Sequence, residues 1–216
     1  MTVLLTRHAQ TVWHRENRYA GTSDVDLTPE GVRQAERLAG WVRTRGVDAV
    51  VSSPVRRARE TAEPGALAAG VAVEVEDGLR EVGFGIAEGR TLDELDAGVA
   101  ARFRADPVAH PFPGAEPLDA AAGRCAAALR RVAARHPDRT VLVVAHNTLL
   151  RLGLCALLGL AVARYRQVFP RLDNVAVTEI ALRGGGTGPP GLLSLNVPVG
   201  DPRPTWNDDP TREELS

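Results

Sequence analysis

Lysine is absent from this chain, so all 26 basic side chains are arginine. Alanine, glycine and valine are plentiful too, which points to genomic base composition as the cause. The consequence is chemical: any anion site here is built from guanidinium, whose planar fork donates in pairs. Cysteine is scarce. Cys125 and Cys155 are the only two, each in an Ala- and Leu-rich helical pattern, and read as small buried hydrophobes rather than a disulfide. Long apolar runs are missing; the longest are of strand length or broken by arginine, which excludes a membrane span and gives no signal peptide. These features place the chain in the cytoplasm. Net charge is −1, so nothing in the bulk charge attracts nucleic acid or an anionic membrane. No cluster of His, Cys, Asp and Glu has metal-ligand spacing, and neither metal nor cofactor is expected. No internal repeat is visible.

What is present is strands alternating with helices. Residues 2–6 form an apolar strand, and 14–27 a polar loop. Thr28-Pro29-Glu30 opens a helix with a cap, a first-turn proline and an acid. Val32, Ala35, Leu38, Ala39 and Val42 keep its period, and Gly46 closes it. Residues 48–51 are the second strand and 54–69 the second helix, ended by Gly70. Val71, Val73 and Val75 alternate with Ala72, Glu74 and Glu76, as in an edge strand. Residues 91–105 are weakly helical, 106–117 hold four prolines and form a loop, and 118–136 make a long Ala/Arg helix. Residues 140–145 are the central apolar strand, followed by a helix over 148–158. Strands at 175–182 and 192–197 flank a Gly- and Pro-rich tip and read as a hairpin. The fold expected is α/β: a mostly parallel central sheet with helices on both faces and one antiparallel edge strand. At 216 residues it fits one domain over 1–200, with a short entrance or cap segment at 89–117 and a flexible tail at 201–216.

Two histidines stand at strand ends. His8 closes the first strand, beside Arg7, and His146 closes Val141-Leu142-Val143-Val144-Ala145. In an open α/β sheet, ligands bind beyond the carboxyl ends of the strands. The second strand runs into Ser52-Ser53-Pro54 and the pair Arg56-Arg57, so histidines and arginines converge on one crevice. Imidazole is a nucleophile and guanidinium suits phosphate, which together suggest phosphoryl transfer through histidine. A strand-end histidine by itself could equally bond a backbone carbonyl; the blocks that follow decide between the two.

Five blocks occur in order: Arg7-His8-Ala9-Gln10-Thr11; the loop from Trp13 through Glu16-Asn17-Arg18-Tyr19 and Gly21 to Thr28; Ser52-Ser53-Pro54 through Arg57-Ala58; Leu79-Arg80-Glu81-Val82-Gly83-Phe84-Gly85 with Glu88-Gly89; and Val143-Val144-Ala145-His146-Asn147. From about residue 2 to about residue 182, the chain resembles the histidine phosphatase family, which includes the cofactor-dependent phosphoglycerate mutases. The resemblance implies that His8 becomes phosphohistidine, with its other ring nitrogen held by a backbone carbonyl. It implies that Arg7 and Arg57 stabilise the equatorial phosphoryl oxygens. Arg57, rather than Arg56 or Arg59, matches the family's Arg-Ala. His146 would donate to the same oxygens, where the helix beginning near Asn147 points its free amides at the anion. Glu81 would be general acid and then general base, with Glu88 and Glu116 as the reserve carboxylates. Arg7, His14, Ala20, Gly21, Arg57, Glu81, His146 and Asn147 would contact phosphate or substrate. His110 and His136, in a loop and at a helix end, would not.

Some positions depart from the family pattern. Ala9 replaces a usual glycine and needs a backbone region open to a Cβ. His14 stands in place of an asparagine that contacts phosphate. Asn147 also replaces glycine, and asparagine tolerates positive φ best among the alternatives. Gly114-Ala115-Glu116-Pro117 stands for a common Gly-Gly-Glu-Ser. The family contains mutases and phosphatases. A mutase needs a second anion site on a long covering segment that supplies lysine and paired arginines, whereas residues 89–117 are short and offer only Arg90, Arg102 and Arg104. The expectation is a metal-independent phosphatase of a small phosphorylated metabolite, such as a sugar phosphate or a phosphoglycerate-like ester, with specificity set between about residues 87 and 124. A phosphoglycerate mutase and a non-catalytic phospholigand-binding protein are the alternatives. Homodimerisation is compatible with the sequence and not indicated by it.

Overall fold

The computed structural model of the chain describes residues 1–183 and 187–199. Its six strands are β1 (Thr2–Arg7), β2 (Ala49–Ser52), β3 (Val73–Val75), β4 (Thr140–Ala145), β5 (Val177–Ala181) and β6 (Gly191–Val197). They form one sheet in the order β3-β2-β4-β1-β5-β6. The first four run parallel; β5 is antiparallel to β1 and pairs with β6 as a hairpin at the edge. The tip residues 184–186 and the expected tail at 201–216 lie outside the described residues.

The helices are α1 (Pro29–Val42), α2 (Arg56–Ala69), α3 (Ala97–Ala105), α4 (Leu118–Arg135), α5 (Asn147–Leu158) and α6 (Tyr165–Val168). Alternation along the strands sends side chains to two cores. Val3, Leu5, Val141 and Val143 join Leu129, Val132, Leu150 and Leu154 of α4 and α5 on one face. Leu4, Val50, Leu142 and Val144 join Leu38, Val42, Ala58 and Ala62 of α1 and α2 on the other. Burial on both faces is why β1 and β4 read as unbroken apolar runs, each such side chain contributing ~1.5–3 kcal/mol.

Local chemistry sets the boundaries. Thr28 caps α1 by accepting from the Gly31 amide at 2.9 Å, as expected. That helix ends at Val42 rather than Gly46, and Gly46 at φ +59° closes the following turn instead. The 91–105 segment is split: Leu92–Glu94 is a single 3-10 turn, and α3 starts only at Ala97, where the Asp96 side chain accepts from the Val99 amide. Cys125 and Cys155 are buried free thiols facing the α4–α5 interface. The parallel order β2-β4-β1 brings Ser52, Ala145 and Arg7 to one end of the sheet in adjacent register.

Candidate active site

The site begins where β1 ends. His8 is 5% exposed, and its Nδ1 donates to the Ala9 carbonyl at 2.7 Å. That bond fixes the tautomer and leaves a lone pair on Nε2, which accepts from Arg57 Nε at 3.2 Å. Burial first, then the Arg57 charge, holds His8 well below the usual imidazole range. The ring is therefore neutral, the state a nucleophile needs. Ala9 has no left-handed backbone, so its Cβ is tolerated; its amide donates to Thr61 Oγ1 at 3.0 Å.

Arg57 follows the strand-to-helix turn at the start of α2 and is 1% exposed. It donates to the carbonyls of Ser23 (3.0 Å), Ala20 (2.8 Å) and Gly21 (3.0 Å), and to His146 Nδ1 at 3.1 Å. It thus ties the 20–23 loop to both histidines. Gly21 is required by close approach: a Cβ there would stand 2.5 Å from the Val82 carbonyl. Its amide is taken by Glu88, which also binds the Ser23 amide and hydroxyl.

Arg7 donates from Nη1 to the Leu172 carbonyl at 3.0 Å and places Nη2 2.6 Å from His14 Nε2. Arginine can only donate, so a donor faces His14 Nε2, and on the other side of the ring the Thr11 amide points at Nδ1 at 3.0 Å with Thr11 Oγ1 2.8 Å away. Burial, and then Arg7, push His14 down to about 4; burial lowers Arg7 to about 10, still a cation at neutral pH. Glu81 is buried, with Oε1 accepting from the Val82 (2.9 Å) and Leu149 (2.8 Å) amides and Oε2 from Thr148 (3.1 Å). Burial raises its pKa above the usual carboxylate value, against the pull of those three amides.

Between these groups lies a cavity of about 160 Å³. Arg7, His8, His14 and Glu81 line its inner end; Trp13, Asn17, Arg18, Tyr19, Phe84 and Thr148 line its outer wall. Against this geometry, with buried His8 between Arg7 and Arg57, the sequence profile of the histidine phosphatase superfamily, branch 1, matches residues 3–192. The chain belongs to this superfamily. Among relatives, it is 33% identical over 166 residues to phosphoserine phosphatase 1 of Hydrogenobacter thermophilus, covering 76% of this chain and 79% of that protein. A protein of Erwinia tasmaniensis named a probable phosphoglycerate mutase is 32% identical over 183 residues, 83% of this chain and 84% of its own. The solved structure of mycobacterial glucosyl-3-phosphoglycerate phosphatase superposes with a TM-score of 0.81 at 28% identity, covering 91% of this chain and 98% of that one.

In this histidine phosphatase, six of the site residues expected from sequence line the cavity: Arg7, His8, His14, Ala20, Glu81 and Asn147. Gly21, Arg57 and His146 stand behind it. His146 is fully buried; it accepts from Arg57 on Nδ1, so its Nε2 proton goes to Ser53 Oγ at 2.7 Å rather than into the cavity. The α5 amides expected to face phosphate are likewise engaged, at Thr148 and Leu149, by the Glu81 carboxylate. Asn147 does not use positive φ; it is the first residue of α5 and carries ordinary helical backbone. The cavity wall comes from 7–20, 81–84 and 147–148, and from the 87–124 segment, expected to set specificity, Phe103 and Phe112 pack behind Tyr19. Glu116 is paired with Arg124, and Glu88 is spent on the 21–23 loop. His110 is exposed and His136 bonds Glu74, both away from the site.

Two contributors carried no assigned role in the sequence. Ser53 orients His146. Asn174, just before β5, donates from Nδ2 to the His8 carbonyl at 2.7 Å. It is aimed there by Val175, which holds φ +54° and donates its amide to the Arg7 carbonyl at 2.9 Å. A β-branched residue at positive φ costs ~1–3 kcal/mol and persists only where its surroundings over-determine it.

Proposed function

We propose that this histidine phosphatase hydrolyses a small phosphomonoester in two steps, with the phosphoryl group carried on His8 Nε2. The observation that carries the reading is the His8 ring: neutral, its Nδ1 proton locked on a carbonyl, its Nε2 lone pair facing the Arg57 cation. In the first step Nε2 attacks phosphorus in line, and the ester bond breaks. Arg7 and Arg57 offset charge on the equatorial oxygens. Glu81, whose burial favours the protonated form, delivers a proton to the leaving alkoxide. In the second step the Glu81 carboxylate takes a proton from water, the oxygen attacks phosphorus, and the P–N bond breaks to release inorganic phosphate.

The guanidinium pair supplies the anion clamp, so no step calls for a metal ion. Among the described residues, no three of His, Cys, Asp and Glu stand together as a metal site. A mutase reading fits less well, because the chain has no lysine and its 89–117 segment adds no cation to the cavity. A cytoplasmic location belongs to the same proposal and is supported by two free, buried thiols.

The test is His8→Ala, with a labelled phosphate donor. Wild type should acquire acid-labile, base-stable label and turn over a chromogenic ester in excess chelator. The variant should do neither. Substantial turnover by His8→Ala, or loss of wild-type activity restored by a divalent ion, would overturn the reading.

A further inference from the structure

The inner end of the cavity is cationic, and its outer wall, Arg18 aside, is uncharged. That wall is Trp13, Tyr19 and Phe84, with the amide and hydroxyl groups of Asn17, Asn147 and Thr148 between them. Aromatics are scarce here, with three Trp, two Tyr and four Phe in the whole chain. Four of them pack as one block at this wall: Tyr19 lies 5.0 Å from Phe84 and 5.0 Å from Phe112, and Phe112 stacks on Phe103 at 3.7 Å. Rings backed by rings make the wall apolar and stiff.

Among the described residues, the only arginine lining the cavity apart from Arg7 at the inner end is Arg18. Its guanidinium is occupied. Nε donates to Glu16 Oε2 at 2.6 Å, Nη1 to Glu94 Oε2 at 2.8 Å and to the Gly89 carbonyl at 2.9 Å, and Nη2 to Glu94 Oε1 at 3.1 Å. Four of the five N–H bonds that arginine can make are used. Two carboxylates hold one cation, so the clamp behind this part of the wall carries a net negative charge and leaves Arg18 little to offer an anion.

We propose that this site selects phosphomonoesters whose alcohol is uncharged and presents a ring or other apolar face, and that the Glu16–Arg18–Glu94 clamp rejects alcohols carrying a carboxylate. The inference rests on the phosphatase reading and goes beyond it. It sets this chain apart from relatives whose names specify phosphoserine or a phosphoglycerate, both of which bear a carboxylate. A second anion at the wall would find the Arg18 guanidinium already taken and would lie beside a clamp of net negative charge, an arrangement that costs binding through like-charge repulsion. A neutral isostere meets neither penalty and gains contact with Tyr19, Trp13 and Phe84. The 160 Å³ volume suits a compact group, since a water's share of liquid is ~30 Å³.

The experiment compares para-carbamoylphenyl phosphate with para-carboxyphenyl phosphate, near-isosteres that differ in charge, and glycerol phosphate with phosphoglycerate. In wild type, kcat/KM should favour the neutral member of each pair by about ten-fold, chiefly through KM. The gap should narrow in about 0.5 M salt, where the screening length is a few ångströms. In the double variant Glu16→Gln, Glu94→Gln, the clamp loses both negative charges and the Arg18 cation is no longer neutralised. The gap should collapse by a few-fold, while phenyl phosphate turnover stays within about two-fold. Glutamine at 94 retains the oxygen that caps the Thr91 amide, so the turn is kept. Equal or better turnover of the carboxylated esters, or a gap unmoved in the double variant, overturns the proposal. Failure of folded protein to hydrolyse any ester sinks the phosphatase reading itself, a different result from hydrolysis with the wrong preference.

Discussion

Replacing Glu81 by glutamine separates the delivery of a proton from the binding of phosphate. The carboxylate sits in a cradle of three amides, at 2.8, 2.9 and 3.1 Å, and is almost fully buried. Glutamine keeps the outline but neither gives nor takes a proton at that position. A well-placed general acid contributes ~10²–10⁴-fold, which is about 2.7–5.4 kcal/mol of barrier. The amide also turns one NH₂ toward a backbone N–H that previously met an oxygen. That mismatch should cost roughly 1–3 kcal/mol of folding stability, a fall of about 2–4 °C in Tm per kcal/mol for a chain of this size. Thermal melts at the assay temperature establish that the variant is folded. In pre-steady-state phosphorylation the full loss should appear with an alkyl phosphate, whose alkoxide needs the proton. The loss should be far smaller with nitrophenyl phosphate, whose anion leaves unaided. Label should then accumulate on His8, because the same group must deprotonate water. Equal losses on both esters in the phosphorylation step would refute Glu81 as the acid. No reserve carboxylate is then at hand in Glu88 or Glu116, both of which are engaged elsewhere.

Three further outcomes follow from the geometry. In a pH–rate profile of kcat/KM, the acid limb marks protonation of His8 and should fall below the usual 6.5, because burial and Arg57 oppose its charge; the alkaline limb marks loss of the Glu81 proton and should lie above the usual 4.5. An acid limb at or above 6.5 would contradict the buried, neutral ring. Arg57→Lys should lower kcat/KM by ~10²–10³-fold, as removal of an oxyanion donor does. Because one ammonium cannot serve three carbonyls and two imidazoles, denaturant melts should also show a loss of about 2–6 kcal/mol. Gly153→Ala should cost about 1–3 kcal/mol by overpacking, since its Cβ would collide with Cys125 Sγ; adding Cys125→Ala should recover part of it in the same melts, and no recovery would mean the strain lies elsewhere.

The legible part of this molecule was the part written locally. β1 and β4 announce themselves because both faces of the sheet are covered, leaving apolar runs that stop at His8 and His146. Thr28-Pro29 marks α1 because capping is a matter of three adjacent residues. Arg57, His8 and Glu81 were legible through the family's ordered blocks, which span the lengths the fold requires. Asn174 was not, since its role depends on β5 lying beside β1 and on the strained backbone at Val175, neither of which leaves a pattern in neighbouring residues. The partner of the α5 amides was misjudged for a similar reason: a helix N-terminus advertises an anion site, but which anion fills it is decided by a loop 67 residues away, at Glu81. That Phe103 and Phe112 of the 89–117 segment stand behind Tyr19 is likewise a matter of packing between distant residues, which no local pattern announces.

The aromatic wall also makes the protein its own optical reporter. Of the three tryptophans, Trp13 lines the cavity, and Trp41 sits on α1 with the Arg45 guanidinium 4.7 Å from its ring, on the sheet face opposite the α4–α5 layer. With Trp41 and Trp206 changed to phenylalanine, emission comes from Trp13 alone. Occupancy of the cavity by phosphate, vanadate or an unreactive ester then becomes a fluorescence signal, read on the millisecond scale of a stopped-flow mixer and without any attached dye. The lack of lysine gives the same experiment a clean second channel. Amine-reactive labels have no side-chain amine to find, so a single engineered lysine could carry an acceptor at a chosen distance from the indole.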